Sequence, residues 1–200
     1  MIRENYLFCN LIQLKKSTKF LFDDFMSTFC PEKEQCPVCK RIGDCVIFAS
    51  YKRYAIDFIA GKPTVTRLNV SRVACSCGCT HAILPDPIIP YDSYSLLFIL
   101  RALAEYSLNL RTVSELCDRF GIVQSTLYRW KQLFKEHRRE WLGLLASHEQ
   151  TIFASIKTIV LIDPFKNFAV AFFNNTGRSF MQSHRNPTRS KRGSPSSSVT

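Results

Sequence analysis

Six residues suited to holding a metal fall into two short stretches of this chain: Cys36-Pro-Val-Cys39, and Cys75-Ser-Cys77-Gly-Cys79-Thr-His81. A structural zinc site takes four ligands in a tetrahedron, mostly thiolates, usually offered as two closely spaced pairs. Cys36 and Cys39 make the first pair. The second comes from Cys75, Cys77, Cys79 and His81. A glycine often follows the second cysteine of such a knuckle, where the chain turns through positive φ. Gly78 follows Cys77, so Cys77 closes its knuckle and Cys75 opens it. The expected ligands are therefore Cys36, Cys39, Cys75 and Cys77, with zinc as the cofactor. Cys79 or His81 in place of Cys75 stays open, and the bland alternative is a set of buried thiols without metal. Cys9, Cys30, Cys45 and Cys117 read as core or incidental thiols.

A different chemistry is carried by residues 112–137, TVSELCDRFGIVQSTLYRWKQLFKEH. Thr112 and Glu115 have the spacing of a capping box, which starts a helix by satisfying its first backbone donors. Gly121 breaks the pattern, and a second helix opens with small polar residues. This is the outline of a helix-turn-helix. Its inner positions are Val113, Leu116, Phe120, Ile122, Leu127 and Trp130. The outward face of the second helix then shows Gln124, Ser125, Thr126, Tyr128, Arg129, Gln132 and Lys135. Gln and Arg side chains can bond base edges in two places at once, and Ser, Thr and Lys reach phosphates. The competing interpretation is a plain helical hairpin with a solvated polar face. The basic charge and Arg138-Arg139 favour double-stranded DNA as the partner.

These groups need scaffolds. A helix is expected over 17–29, with Phe20, Leu21, Phe25 and Phe29 near helical spacing. Three strands are expected between the cysteine pairs, at 45–51, 54–59 and 64–73, all rich in β-branched and aromatic residues, with Gly61-Lys-Pro63 as a turn. On the third strand, Val65, Arg67, Asn69, Ser71 and Val73 share one face. Pro85-Asp-Pro-Ile-Ile-Pro90 excludes a helix or inner strand. After it, a helix over 95–108 is apolar on most sides and should be deeply buried, and a long one starts near Gln124, with Leu127, Trp130, Phe134 and Trp141 on one stripe. Asp163-Pro164 reads as a further helix start. The organisation is then a helical lead-in (1–35), a zinc ribbon (36–84), a Pro-rich connector (85–92), a helix-turn-helix domain (93–146), C-terminal helices (147–185) and a disordered basic tail (186–200). The fold class is α+β: a small antiparallel zinc-ribbon sheet followed by a mainly helical helix-turn-helix unit.

Composition bounds the function. The chain has 200 residues, a net charge of +11 and 46% hydrophobic residues, too many for general disorder. The last fifty residues hold seven Lys and Arg against one acid. Such a surplus calls for an anionic partner. No run approaches the ~18 apolar residues of a membrane span, so no membrane partner is expected. The N-terminus lacks a secretory pattern, and nine cysteines in such a chain argue for reduced thiols in the cytoplasm. A catalytic transposase would need clustered carboxylates for two metal ions. After position 146 the chain offers only Glu149 and Asp163. A non-catalytic protein is the expectation.

The run THAILPDPIIPYDSYSLLFIL, continuing through TVSELCDRFGIVQSTLYRWKQLF to WLG at 141–143, resembles a family of uncharacterised bacterial proteins of Firmicutes type. These have an N-terminal zinc ribbon followed by a transposase-like helix-turn-helix. The likeness covers about residues 36–143, and RSFMQSHRNP at 178–187 shares it. It implies zinc at Cys36, Cys39, Cys75 and Cys77, DNA binding and a link to mobile elements as accessory or regulator, with a homo-oligomer or a mobile-element protein as further partners. Two positions depart from the pattern. Val123 stands where a Ser usually caps the second helix, and a lost cap costs about 1 kcal/mol. Lys40 stands where a Gly often closes the first knuckle. The alternatives are a transposase remnant, or a protein-interaction module with a structural ribbon and a Phe-rich docking segment at 165–180.

Overall fold

A computed structural model describes residues 17–85, 87–147 and 172–183, with backbone only for 138–147. Helix α1 (Thr18–Thr28) starts at Ser17, whose hydroxyl accepts from the Phe20 N–H. A 3-10 turn (Pro31–Lys33) leads to the first cysteine pair. Strands β1 (Cys45–Ile59), β2 (Lys62–Cys75) and β3 (Thr80–Ala82) form one antiparallel sheet in that order. Helices α2 (Leu96–Ser107), α3 (Val113–Phe120) and α4 (Gln124–Ser147) follow. The α+β class expected from sequence is the class observed.

The strands differ from expectation: β3 is an additional short strand that the sequence did not signal, and two expected strands are one. The segments 45–51 and 54–59 are a single 15-residue strand. Lys52 and Arg53 do not break it, because successive side chains leave on opposite faces. Lys52 is exposed, while the Arg53 guanidinium donates to the carbonyls of Ile89 and Asp92. An irregularity between Ile47 and Ala49 leaves Phe48 as an extra residue. The hairpin loop is Ala60-Gly61, both at positive φ as a type I′ turn requires, and Lys62 and Pro63 already belong to β2.

The long hairpin feeds different cores from its two faces. Ala55, Leu68 and Val70 pack with Phe22 of α1 and with Ile88. The inward residue of α1 is thus Phe22, whereas Phe20 is half exposed. Tertiary contact decided which Phe of a Phe-rich helix turns inward. On the opposite face, Cys45, Val73 and Cys75 enclose the cysteine cluster, and Phe58, near the hairpin tip, enters the helical core. There its ring stacks on Phe120 at 4.5 Å.

In the connector, Ile88 and Ile89 are buried, while Tyr91 is exposed. A short parallel bridge joins Ile56 to Tyr94, and Asp57 ties three elements together. Its buried carboxylate accepts from the backbone N–H of Thr18 and Phe58 and from the Ser95 hydroxyl. Helix α2 is the most buried helix, as its composition predicts. It also buries Glu105, whose carboxylate faces Arg119 at 3.1 Å, Arg101 at 3.6 Å and Arg111 at 3.7 Å. A carboxylate this deep needs such partners.

Residues 172–183 close the helical core. Phe172, Phe180 and Met181 are buried with it, and the Met181 N–H donates to Nδ1 of His137 on α4. The expected helices over 147–185 lie mostly outside the described residues, except for a helical turn at 172–176. Cys9, the Asp163-Pro164 start, the Trp141 side chain and the tail also lie outside them. Among the described residues, no helix is long and apolar enough to cross a membrane.

Candidate metal centre and the exposed face of helix α4

The first cysteine pair sits on a tight loop. The Cys36 N–H donates to the Arg41 carbonyl, and the Lys40 N–H donates back to the Cys36 carbonyl. Lys40 closes this loop at φ 64°, the left-handed conformation that a glycine would hold there. The second pair leaves the end of β2. Gly78 turns at φ 78° and its N–H donates to the Cys75 carbonyl. Both cysteine loops therefore close through positive φ, one with the residue that suits it and one without.

An L-residue in this region costs about 1–2 kcal/mol, of which glycine recovers part after its own entropy loss. Lys40→Gly should keep the metal and raise stability by at most about 1 kcal/mol, while a β-branched Lys40→Val should lower it by more than about 1 kcal/mol. Thermal unfolding of the metal-loaded variants reads both. A destabilised glycine variant would contradict the left-handed loop.

The hairpin brings the two loops together, since Cys45 pairs with Cys75 across it. The Sγ atoms of Cys36, Cys39, Cys75 and Cys77 all lie within 4.8 Å of one another. Cys36 to Cys77 is 3.8 Å, and Cys39 to Cys75 is 3.6 Å. A tetrahedron with metal–sulfur bonds of about 2.3 Å has edges of about 3.8 Å. A disulfide needs about 2.05 Å, so these sulfurs are spaced for a shared ion rather than for bonding one another. Cys36 and Cys75 are buried and the other two are half-buried. The four residues fit a metal ion without rearrangement.

The protonation preferences point the same way. Backbone N–H groups, that of Cys39 first, lower the Cys36 thiol against the effect of burial. The backbone N–H of Arg41 brings Cys39 down to about 6, and the Arg41 side chain adds to this. At Cys77 the backbone N–H of Cys79 favours the thiolate. Burial and the sulfurs of Cys75, Cys39 and Cys36 outweigh it and push the thiol up to about 12. Crowded sulfurs cannot all ionise together unless a cation compensates them.

Of the alternative ligands, Cys79 stands outside the four-sulfur set. Its carbonyl accepts from the Cys75 N–H. His81 approaches from the outside, with Nε2 3.5 Å from the Cys36 sulfur. Sequence reasoning treated it as a rival ligand; the structure makes it a neighbour of one. The Arg41 side chain beside Cys39 was also missed. Its position after the second cysteine was the only signal. Cys45 is buried against the cluster with its thiol raised by that burial, and Cys117 is buried in the helical core.

At the other end of the molecule, α3 begins with the expected box. The Thr112 hydroxyl accepts from the Glu115 N–H and the Glu115 carboxylate accepts from the Thr112 N–H. The latter contact holds the Glu115 carboxyl below its usual range. Residues 121–123 turn the chain, with Gly121 left-handed at φ 59°. Leu116, Phe120, Ile122, Leu127 and Trp130 are buried as expected, and Val113 is half-buried. Gln124, Ser125, Tyr128, Arg129, Gln132 and Lys135 are exposed and Thr126 is half-buried. Gln132 donates to Glu136 one turn on. Val123 is exposed and brings no side-chain oxygen to the start of α4.

No curated protein and no solved structure matches the chain. Residues 36–130, which run from the first cysteine to the buried Trp130, match the family model described as a domain of unknown function, DUF6431.

Proposed function

We infer that the protein is a non-catalytic, zinc-containing DNA binder, in which a zinc ribbon braces a transposase-like helix-turn-helix. The observation that carries this reading is the division of α4. Leu127 and Trp130 turn into the core, while Gln124, Ser125, Tyr128 and Arg129 stand exposed on its first turns. Major-groove readers present base-contacting side chains on those turns. A capping box, a three-residue turn with a left-handed glycine and a net charge of +11 support it. One family model spans the four cysteines, α3 and the first turns of α4. Zinc is the ion that four thiolates at this spacing suit best. A mobile-element accessory or regulator is the role that the resemblance suggests.

The test is selection of bound sequences from a random duplex pool, using the full chain loaded with zinc. Arg129→Ala should then cost about 1–3 kcal/mol on the preferred site and relax the preference there. Truncation after Ser183 removes Arg185, Arg189, Lys191 and Arg192 but keeps the docked Phe180 and Met181. It should weaken binding to all sequences alike and flatten the salt dependence. A protein that binds no duplex at low salt, or that loses sequence preference on truncation alone, is an interaction module and not a DNA reader.

A further inference from the structure

Many cations of the described scaffold are already engaged. Arg41 pairs with Asp44, Arg53 caps two carbonyls, and Arg72 donates to Thr80. Arg101, Arg111 and Arg119 surround Glu105. Lys52 and Arg67 are not, and in this they join Lys33, Lys40, Lys62, Arg129 and Lys135. Both are exposed, and neither forms an ion pair with a described residue.

The pairing register puts them on one face of the hairpin. Lys52 lies opposite Asn69, and Tyr54 opposite Arg67. Cross-strand partners share a face, and so do residues two apart on one strand. The Arg67 guanidinium lies over the Tyr54 ring at 5.9 Å, and Tyr54 is 56% exposed, so the cation lies along the sheet surface. Between Ser50 and Ile56 on β1, and between Val65 and Ser71 on β2, this face carries no acid.

The face also has a fixed relation to the turn before α4. Pro63 lies on it, opposite Phe58. The Pro63 ring is 3.7 Å from where a Gly121 side chain would begin, so the turn sits against the hairpin tip. From Pro63 to Arg67 is about 13 Å, and to Asn69 about 20 Å, at 3.3 Å per strand residue. One turn of duplex spans about 34 Å. The strip therefore lies within the length of one duplex turn of the start of α4.

We propose that the face of the β1–β2 hairpin carrying Lys52, Tyr54, Arg67 and Asn69 is a second DNA contact, which grips the phosphate backbone of the duplex read by α4. This rests on the DNA-reading role of α4, and the test separates the two. Lys52 and Arg67 supply the charge, Asn69 can donate to a phosphate oxygen, and Tyr54 holds Arg67 in place. Such contacts set position and affinity but carry no sequence information.

The experiment measures affinity of the zinc-loaded full chain for a duplex bearing the selected site and for a scrambled duplex, across salt. Each phosphate contact adds about 0.9 to the slope of log affinity against log salt. The variant Lys52→Ala/Arg67→Ala should lower that slope by about two on both duplexes. Its fall in affinity between about 50 and 200 mM salt should be some twelvefold (about 4 to the power 1.8) smaller than that of the parent protein. Sequence preference should persist. Lys52→Arg/Arg67→Lys keeps the charges and should retain the parent slope, which separates charge from any effect on the sheet. An unchanged slope in the alanine variant, with Arg129→Ala still relaxing preference, overturns the hairpin contact and leaves α4 as the reader. A loss confined to the selected duplex also overturns it. If the parent protein binds neither duplex, both readings fall together.

Discussion

Replacing Cys36 with serine should release the metal and unfold the ribbon, the largest single-residue effect expected in this protein. The Cys36 side chain is fully buried, and its sulfur meets Cys77 on one side and His81 on the other. Around it, Cys45, Val73 and Cys75 form a core of only four buried residues. Such a cluster excludes too little apolar surface to hold a fold alone, so metal binding and folding must be one event. In small zinc domains that event is worth about 10–16 kcal/mol near neutral pH. Metal analysis of protein purified without chelator should find one zinc per chain, and none would refute the site. Cys75→Ser should lose the ion and Cys79→Ser should keep it, because only the Cys75 sulfur lies within the set. The reverse would move the fourth ligand. Because thiolates are the ligands, protons compete with the ion, and acidification should release it. Circular dichroism should report loss of the hairpin in step with release.

Trp130→Ala should destabilise the helical unit by about 3–5 kcal/mol, from lost burial and the cavity left behind. Trp130 is 1% exposed. Its ring meets Tyr94 edge-on at 5.0 Å and Phe98 at 6.1 Å, so it joins α4 to α2 and to the segment that follows the connector. Its indole N–H finds no acceptor among the described residues. A buried donor without a partner is itself costly, so Trp130→Phe removes a penalty along with some volume and should cost far less than the alanine. Arg129→Ala, on the exposed side of the same turn, should leave stability nearly unchanged. Chemical denaturation of the three variants reads the order. Equal losses for Trp130→Ala and Arg129→Ala would mean that the helix is misphased, and with it the proposed reading face.

What the sequence by itself determined was local. Two cysteine pairs, a glycine after Cys77, a capping box four residues long and a stripe at helical period each state their geometry within a few positions. Backbone sterics, cap hydrogen bonds and helical period act over that range. The four candidate ligands and the inward and outward sides of α4 were legible for this reason. What only the tertiary structure decided depends on partners far along the chain. Lys52 and Arg53 looked like a break between strands until Arg53 found the carbonyls of Ile89 and Asp92, 36 and 39 residues away. Phe22 is the buried phenylalanine of α1 because Leu68, Val70 and Ile88 wait there. Glu105 can be buried because Arg111 and Arg119 arrive from beyond its own helix. His137 holds residues 172–183 through a bond spanning 44 positions. Lys40 adopts a glycine's conformation because the loop it closes must present two sulfurs to a second pair more than 30 residues on. Short-range sequence patterns do not state these contacts, since most of them exist only once distant segments of the chain have packed together.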